Sequence, residues 1–491
     1  MNINQLLSGI RFKEIQTGSE EEITNIAYDS RKVKKGALFV CQSGGNYDSH
    51  YFINEALEKG AVALIVEREI EIPNSEITVI KVENSRKALS GISSNFYNHP
   101  SHSLNVIGIT GTNGKTSISY LVSEILQSNK ETVGVIGTIG MEVNNVPLNL
   151  EKTTPTTPDS LELQIILGEM RKVNVSTVAM EVTSIGLDQH RVDDCQINIG
   201  VFTNLTEDHL DFHGTMENYK NSKRELFKLC EVGVINIDDL VGREYVQTMR
   251  ERKQKNEKVK VTTYGIDTEA DLKAFNVHLS PSGSKFKVKY LGNTYDVAIN
   301  LPGKFNVYNA LAAIGATLNS GVSMEGIIKA LRNIRGAKGR FESVQSKSSF
   351  SVVVDYAHTP DALENVLTTA KEFKPNRLIT VFGCGGDRDK SKRSLMGRIS
   401  GDLSDFTIIT SDNPRTEHPM GIIRDIEEGI TKTTGLYEIV DDRKDAIKKA
   451  IEIASAGDIV IIAGKGHETY QIFNDRTIHF DDMEIVKELI S

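Results

Sequence analysis

Leu104-Asn-Val-Ile-Gly-Ile-Thr-Gly-Thr-Asn-Gly-Lys-Thr116 is the stretch on which the fold turns. Its first residues form an apolar run of strand character. Glycines stand at 108, 111 and 114, and Lys115-Thr116 open a segment of helical spacing. A buried strand that passes through a glycine-rich turn into a helix can close its backbone N–H groups on phosphate oxygens. Lys115 would meet the β/γ charge, and the Thr116 hydroxyl would reach Mg²⁺. The strict P-loop pattern asks for glycine at 109, where this chain has Ile109, so the spacing departs by one position while the chemistry is kept. A glycine turn that binds nothing is the bland alternative. Strand, glycines, Lys-Thr and helix together speak against it.

Outward from this loop, further strands are expected at 133–136, 177–182 and 200–203, separated by helix-length segments, which is the order of a parallel α/β sheet. The period then changes to two. Phe286, Val288 and Tyr290 alternate with lysines, Gly292-Asn293 reads as a turn, and Tyr295, Val297, Ile299 and Leu301 alternate again, a hairpin. Helices are expected at 306–318 and 323–333, and 335–339 reads as a linker. Upstream, strands at 61–66 and 77–82 alternate with helices at 50–59 and 85–97 until Asn98-His-Pro100 breaks the pattern. Downstream comes a regular βα alternation with strands at 351–355, 378–382, 406–410, 437–440 and 458–463. In such sheets ligands sit outside the carboxyl ends of the strands. The loops there carry Asp355-Tyr-Ala-His358, Gly383-Cys-Gly-Gly-Asp-Arg-Asp389, Asp412-Asn-Pro-Arg415 and Gly464-Lys-Gly-His-Glu468. The predicted fold is therefore α/β in three domains. These are a small N-terminal α/β domain (1–98), a central P-loop domain with a parallel, ATPase-like sheet (99–335) and a Rossmann-like C-terminal domain (336–491).

Composition agrees with a chain of that size, since about 150 residues per domain makes roughly three domains of 491 residues. A net charge of −9 argues against nucleic acid or anionic membranes as partners. No apolar run approaches the roughly 20 residues needed to span a bilayer, and the first residues are broken by charge too early for a secretory signal. The four cysteines, Cys41, Cys195, Cys230 and Cys384, have no metal-ligand spacing and read as reduced thiols of a cytoplasmic protein. The charge-dense run 250–258 mixes both signs and reads as a solvated helix end or loop.

Two further positions bear on phosphate chemistry. Glu181 ends the expected strand 177–182, from where a carboxylate can reach Mg²⁺ at a phosphate loop; alone it would read as a solvated glutamate. Thr203-Asn-Leu-Thr-Glu-Asp-His-Leu-Asp-Phe-His213 packs two histidines and several acids into one loop, and beside a P-loop His209 becomes a candidate ligand for a second metal.

Gly108-Ile-Thr-Gly-Thr-Asn-Gly-Lys-Thr116, Asn204-Leu-Thr-Glu-Asp-His-Leu-Asp-Phe-His213, Gly303-Lys-Phe-Asn-Val-Tyr-Asn309 and Asp355-Tyr-Ala-His358 occur in that order. The chain thereby resembles the Mur ligases, ATP-dependent amide ligases that build the peptidoglycan stem peptide, and the motifs fall in all three blocks. The resemblance implies ATP and Mg²⁺ as cofactors, with Gly111, Thr112, Asn113, Gly114, Lys115, Thr116, Asn309, Arg340 and Asp355 around the nucleotide. It implies UDP-MurNAc-L-Ala-D-Glu as one substrate, held by Ser30 of Asp29-Ser-Arg31, by Thr153 and Thr154, and by Thr183, Gln189 and Arg191. Lys223 matches the lysine that the family carbamylates, which would turn a cation into a metal-binding anion; alone it would read as a surface helix lysine. Thr116 and Glu181 would then hold one Mg²⁺, and Glu181, His209 and carbamylated Lys223 the other.

The second substrate implied is meso-diaminopimelate. Asp412, Asn413, Pro414 and Arg415 resemble its reader, and lysine-adding relatives lack the arginine. A guanidinium can grip in bidentate fashion the distal carboxylate that lysine does not have. Arg388, Gly464 and Glu468 match further contacts. The reaction implied has Lys115, Glu181, His209 and Lys223 in catalytic roles. The D-Glu carboxylate attacks the γ-phosphate of ATP to give an acyl phosphate, and the diamino acid's amine then displaces phosphate. The chain is expected to act as a monomer. Two departures from the family stand out. Glu181-Val-Thr-Ser-Ile-Gly186 puts Thr183 for a serine and Ile185 for a histidine, and Asp48-Ser-His50 has serine for glycine. The alternatives are a lysine-adding or folylpolyglutamate-type ligase, against which Arg415 and the N-terminal block argue, and a P-loop NTPase without ligase activity.

Overall fold

The computed structural model describes every residue except 19–21, 45–47, 71–75, 256–257, 281–282, 335, 348 and 491. Arg335, at the start of the expected second linker, therefore lies outside the described residues. Contacts divide the chain into two units, one of residues 1–111, 126–263 and 316–322, the other of residues 112–125, 264–315 and 323–491.

The first unit holds two sheets. Five short strands lie in the order Glu14–Gln16, Thr78–Lys81, Ala61–Val66, Ala37–Val40, Asn25–Ala27. All their pairings are parallel except that of Glu14–Gln16, which closes one edge antiparallel. The helix Ser85–Phe96 covers them, started by Asn84, whose side chain accepts the Lys87 N–H. In the second sheet Val232–Asn236, Ile199–Phe202, Asn105–Thr110, Thr177–Glu181 and Val133–Ile136 pair in parallel, and Met141–Val143 and Val146–Pro147 continue antiparallel. The strand that opens the glycine loop is thus central, buried on both faces as its unbroken apolar sequence requires. Asn98 and His99 both take left-handed backbone at the expected break, and Pro100 starts the 3₁₀ turn Pro100–Ser103. The chain turns there without separating the two sheets. Leu161 shares a core with Leu89 and Ile92, and the Ser90 and Ser101 hydroxyls accept the backbone N–H groups of Asp194 and Gln196.

In the second unit the strands Leu272–Ser280, Gly283–Tyr290 and Asn293–Ile299 form an antiparallel meander. The expected hairpin is present, but its turn is not where the sequence placed it. Tyr290 pairs with Asn293, so the two turn residues are Leu291 and Gly292, with φ of +48° and +81°. The apolar alternation on both flanks sets this register and outweighs the turn preference of Gly-Asn. A leucine here pays the left-handed steric penalty while its side chain is 80% exposed. Leu291→Asn is expected to stabilise the hairpin by about 0.5–1 kcal/mol, read as a higher calorimetric transition; an unchanged or lower one would mean that the turn carries no such strain.

The C-terminal sheet has the order Glu342–Gln345, Ser351–Asp355, Ile459–Ala463, Leu378–Phe382, Phe406–Ile409, Leu436–Ile439, parallel but for the first strand. Alternate residues serve opposite faces. Ile459, Ile461 and Ala463 join Leu363, Leu367, Ile423 and Ile426 in one core, while Val460 and Ile462 join Ala446, Ile447 and Val486 in the other. Both faces are covered by helices, which leaves the strand ends as the place for polar chemistry. None of the described helices is long and apolar enough to cross a membrane.

Candidate active site

The glycine loop is shaped by two backbone positions. Gly111 and Gly114 have φ of +147° and +90°. A Cβ on Gly111 would collide with the Thr203 hydroxyl, and one on Gly114 would stand 2.6 Å from Asn309 Oδ1. Larger residues there would displace the side chains that line the loop.

Within the second unit the expected nucleotide residues other than Gly111 gather. Asn113 Nδ2 donates to Asp361 Oδ2 at 2.6 Å, and Lys115 Nζ donates to the Thr112 carbonyl at 2.8 Å. Thr116 is buried, and its hydroxyl accepts from Arg340 Nη2 at 3.4 Å. The Arg340 guanidinium lies 4.7 Å from the centre of the Tyr356 ring. Asp355 is buried behind it and accepts the Phe341 N–H at 2.7 Å; burial pushes its carboxyl above the usual range, and Arg340 pulls it back. Asn309 is fixed through Asn306, whose Oδ1 accepts from its amide at 3.1 Å. Asp361 and Tyr356 were not anticipated as partners. His467 packs on the Tyr356 ring with centroids 4.8 Å apart, and burial, then Arg340 and His358, push its pKa down to about 4, so its imidazole is neutral near pH 7.

Within the first unit Glu181, the expected metal-reaching carboxylate that in isolation would read as a solvated glutamate, is 1% exposed. Glu181 Oε1 accepts the Thr138 N–H at 2.9 Å and Oε2 the Thr138 hydroxyl at 3.1 Å. Lys223, which reads in isolation as a surface residue, is equally buried, and its ammonium donates to the Gly111 carbonyl at 3.0 Å while lying 4.4 Å from the Tyr219 ring centre. His209, half-exposed and left-handed at φ +53°, meets the same ring edge-on at 6.2 Å. Tyr219 thus has two of the four expected metal ligands, His209 and Lys223, beside it. As an ammonium, Lys223 repels a cation; as a carbamate it would offer an anionic oxygen pair. No three His, Cys, Asp or Glu side chains converge as a metal cage among the described residues.

The expected grip on the dipeptide is organised by a residue the sequence reading passed over. The Thr157 carbonyl accepts from Thr154 Oγ1 at 2.6 Å and from Arg191 Nη1 at 2.9 Å. Its hydroxyl accepts the Thr183 N–H at 2.9 Å and donates to the Glu181 carbonyl at 3.0 Å. Gln189 Oε1 holds the other arm of Arg191 at 2.6 Å. Thr183 also caps the helix Ser184–Asp188 by accepting the Gly186 N–H, so replacing a serine there keeps the cap, while Ile185 leaves a half-buried apolar side chain at the histidine position. Thr153 stands slightly apart. Its N–H donates to Glu162 Oε2 at 3.1 Å, and Glu162 Oε1 accepts from the Tyr28 hydroxyl at 2.9 Å. Ser30 follows two residues after Tyr28, buried, with its hydroxyl on Glu55 Oε2 at 3.0 Å.

At the strand ends of the C-terminal sheet, Asp412 Oδ1 accepts the Asn413 N–H at 2.7 Å, and Gly464 packs against Asp412. Asn413 Nδ2 donates to Glu468 Oε2 at 2.8 Å. Arg415, half-buried at φ +53°, donates from Nη1 to the Gly386 carbonyl at 2.8 Å, and its N–H donates to the Ile472 carbonyl at 3.1 Å. The Gly386 N–H donates to the Asn413 carbonyl, just before Pro414, and Thr416 Oγ1 donates to Asp387 Oδ1, so the loop carrying Arg388 is sewn to the loop carrying Arg415. Fully buried Arg393 pins the seam by donating to both Glu417 oxygens, and this pairing holds the Glu417 carboxyl down at about 2. Arg388 itself is exposed and donates to the Asp387 carbonyl.

Residues 22–97 match the Mur ligase family, catalytic domain; 109–317 match the Mur ligase middle domain; 339–466 match the Mur ligase, glutamate ligase domain. A relative from Clostridium acetobutylicum, named UDP-N-acetylmuramoyl-L-alanyl-D-glutamate--2,6-diaminopimelate ligase 2, is 46% identical over 490 residues, covering 100% of both chains. The chain belongs to the Mur ligase family. A relative of Clostridium botulinum named as the same 2,6-diaminopimelate ligase is 45% identical over 494 residues, covering 100% of this chain and 99% of that one. Among solved structures, one of a UDP-N-acetylmuramoyl-L-alanyl-D-glutamate--2,6-diaminopimelate ligase superposes with a TM-score of 0.69 at 36% identity, covering 95% of this chain and 94% of that one. MurF from Acinetobacter baumannii shares the fold at 20% identity, with a TM-score of 0.64 and coverage of 99% and 98%. A Mur ligase needs a phosphate loop, a grip on the acyl donor and an amine site; Thr154, Thr183 and Arg191 converge on Thr157 in the first unit, and Asn413 meets Glu468 in the second.

Proposed function

We propose that this Mur ligase joins meso-diaminopimelate to the D-Glu carboxylate of UDP-MurNAc-L-Ala-D-Glu, forming ADP and phosphate in peptidoglycan precursor synthesis. The observation that carries the reading is identity of 45–46% over the full chain to relatives named for that reaction. On this reading residues 1–98, 99–335 and 336–491 serve the uridine nucleotide, ATP and the amino acid respectively.

The residues act by position and charge. The loop 111–116 holds the ATP phosphates on backbone N–H groups, and Lys115 swings from the Thr112 carbonyl to the transferred phosphoryl group, whose charge builds as it moves. Asn113, Asn309, Arg340 and Asp355 orient the rest of the nucleotide. Mg²⁺, when bound, supplies further positive charge to the phosphates. Thr116 is the candidate ligand on the second unit, and Glu181, His209 and carbamylated Lys223 are those on the first. Ser30, Thr153, Thr154, Thr183, Gln189 and Arg191 hold the nucleotide-dipeptide so that its carboxylate attacks the γ-phosphorus. ADP leaves, and the resulting acyl phosphate is attacked by the amine held between Arg388, Asp412, Asn413, Arg415, Gly464 and Glu468. The tetrahedral adduct collapses to amide and phosphate. The protein is further proposed to be a cytoplasmic monomer, which light scattering on eluted protein would check.

The test is ADP release by the purified chain with UDP-MurNAc-L-Ala-D-Glu and a panel of amino acids. Release that requires both the nucleotide and diaminopimelate is expected. Equal release with no amino acid present would replace the ligase reading by a simple NTPase.

A further inference from the structure

The strand-end loops of the second unit bury a lysine with no role in the chemistry above. Lys465 is 0% exposed. Its ammonium donates to Asn413 Oδ1 and to Glu468 Oε2, both at 3.0 Å, and lies 5.6 Å from the centre of the Tyr470 ring. Asn413 closes the triangle, donating from Nδ2 to the same Glu468 Oε2 at 2.8 Å and accepting the Ile472 N–H on Oδ1 at 3.0 Å. An ammonium has three donors and no acceptor. Together with the Ile472 N–H it therefore fixes the Asn413 amide one way round, carbonyl toward Lys465 and NH₂ toward Glu468. An ammonium in the interior is stable only when paired, and Glu468 is its carboxylate. Glu468 Oε2 is consumed by these two bonds. Its Oε1 has no hydrogen-bond partner among the described residues, and the side chain is 12% exposed.

The geometry points to Lys465 as a positioning residue for the amine substrate. It locks Asn413 and Glu468 into one rigid set, and Glu468 is left with a single oriented oxygen for the substrate's ammonium. This rests on the ligase reading, in which Asn413 and Glu468 touch the diamino acid. Without the Lys465 charge, Glu468 would keep only the Asn413 Nδ2 bond and Asn413 Oδ1 only the Ile472 N–H, so both side chains would be held more loosely. The amine would then be held in several poses rather than one.

The experiment is steady-state kinetics on the full chain. Lys465→Met is expected to raise KM for diaminopimelate by about tenfold or more, with KM for ATP and for the nucleotide substrate within about twofold. If Lys465 acts through Glu468, the same substitution in a Glu468→Gln background should add less than about threefold. Should Lys465→Met yield no folded protein by thermal melting, Lys465→Gln, nearly as long but uncharged, is read for the same selective rise. An unchanged KM for diaminopimelate, an equal rise in all three KM values, or two substitutions whose effects simply multiply would each overturn the assignment. Absence of diaminopimelate-dependent ADP release in the unsubstituted protein would instead remove the ligase reading itself.

Discussion

Lys115→Ala is expected to abolish ADP formation to within background, a loss of about 10³-fold or more, with no comparable change in the melting temperature. The reason is local. Lys115 begins the helix Lys115–Ser128, and its Nζ makes a 2.8 Å hydrogen bond to Thr112, a residue of the loop it serves. Removing that bond costs little in folding, since the Thr112 carbonyl sits in a loop that water can reach. Removing the charge costs far more in the reaction, because the transferred phosphoryl group carries its negative charge in a site where no solvent rearrangement can replace a fixed cation. A Lys115→Ala protein that keeps most of its rate would sink the assignment of this loop to the transferred phosphate. A protein that loses rate and melts many degrees lower would show instead that the lysine supports the loop.

How much of this could be read from the chain alone follows from which physical signals are periodic. The strands Ser351–Asp355 and Leu378–Phe382 were expected with those limits, because strands covered on both faces are unbroken apolar runs bounded by polar loops. The edge strand Glu342–Gln345 and the small hairpin Tyr470–Ile472 with Thr477–His479 were missed, since short pairs without a second buried face carry no such pattern. Leu272–Ser280 was missed for a related reason: its residues alternate between buried and partly exposed only near one end. At the site, residues that would touch ligands announced themselves as motifs. Those that hold the motifs in place did not. Thr157 and Lys465 look ordinary in sequence, and their importance appears only when Thr154, Glu181, Thr183 and Arg191 converge on the first, and Asn413, Glu468 and Tyr470 on the second. The same holds for burial of Lys223 and Glu181. Neither is apolar, so nothing in the local pattern says that the fold closes over them.

Arg415→Met is the sharper test of which amino acid is added. It is expected to lower kcat/KM for diaminopimelate by about 10²-fold, on the order of 3 kcal/mol, and to change the value for lysine by no more than a few-fold. Methionine keeps an unbranched stem that ends near the position of Nε and, like arginine, is a Cβ-bearing residue at φ +53°, so backbone strain cancels between the two proteins. The tie from Arg415 Nη1 to the Gly386 carbonyl is lost in both assays, and the loop seam persists through Thr416, Asp387, Glu417 and Arg393. A general loosening of the loops would therefore slow both amino acids alike. A guanidinium that grips the distal carboxylate predicts a selective loss, because lysine has no such carboxylate to leave unpaired. The ratio of the two kcat/KM values is the quantity to measure. If it stays where it was while both rates fall, Arg415 holds the loop and the choice of amino acid is made elsewhere.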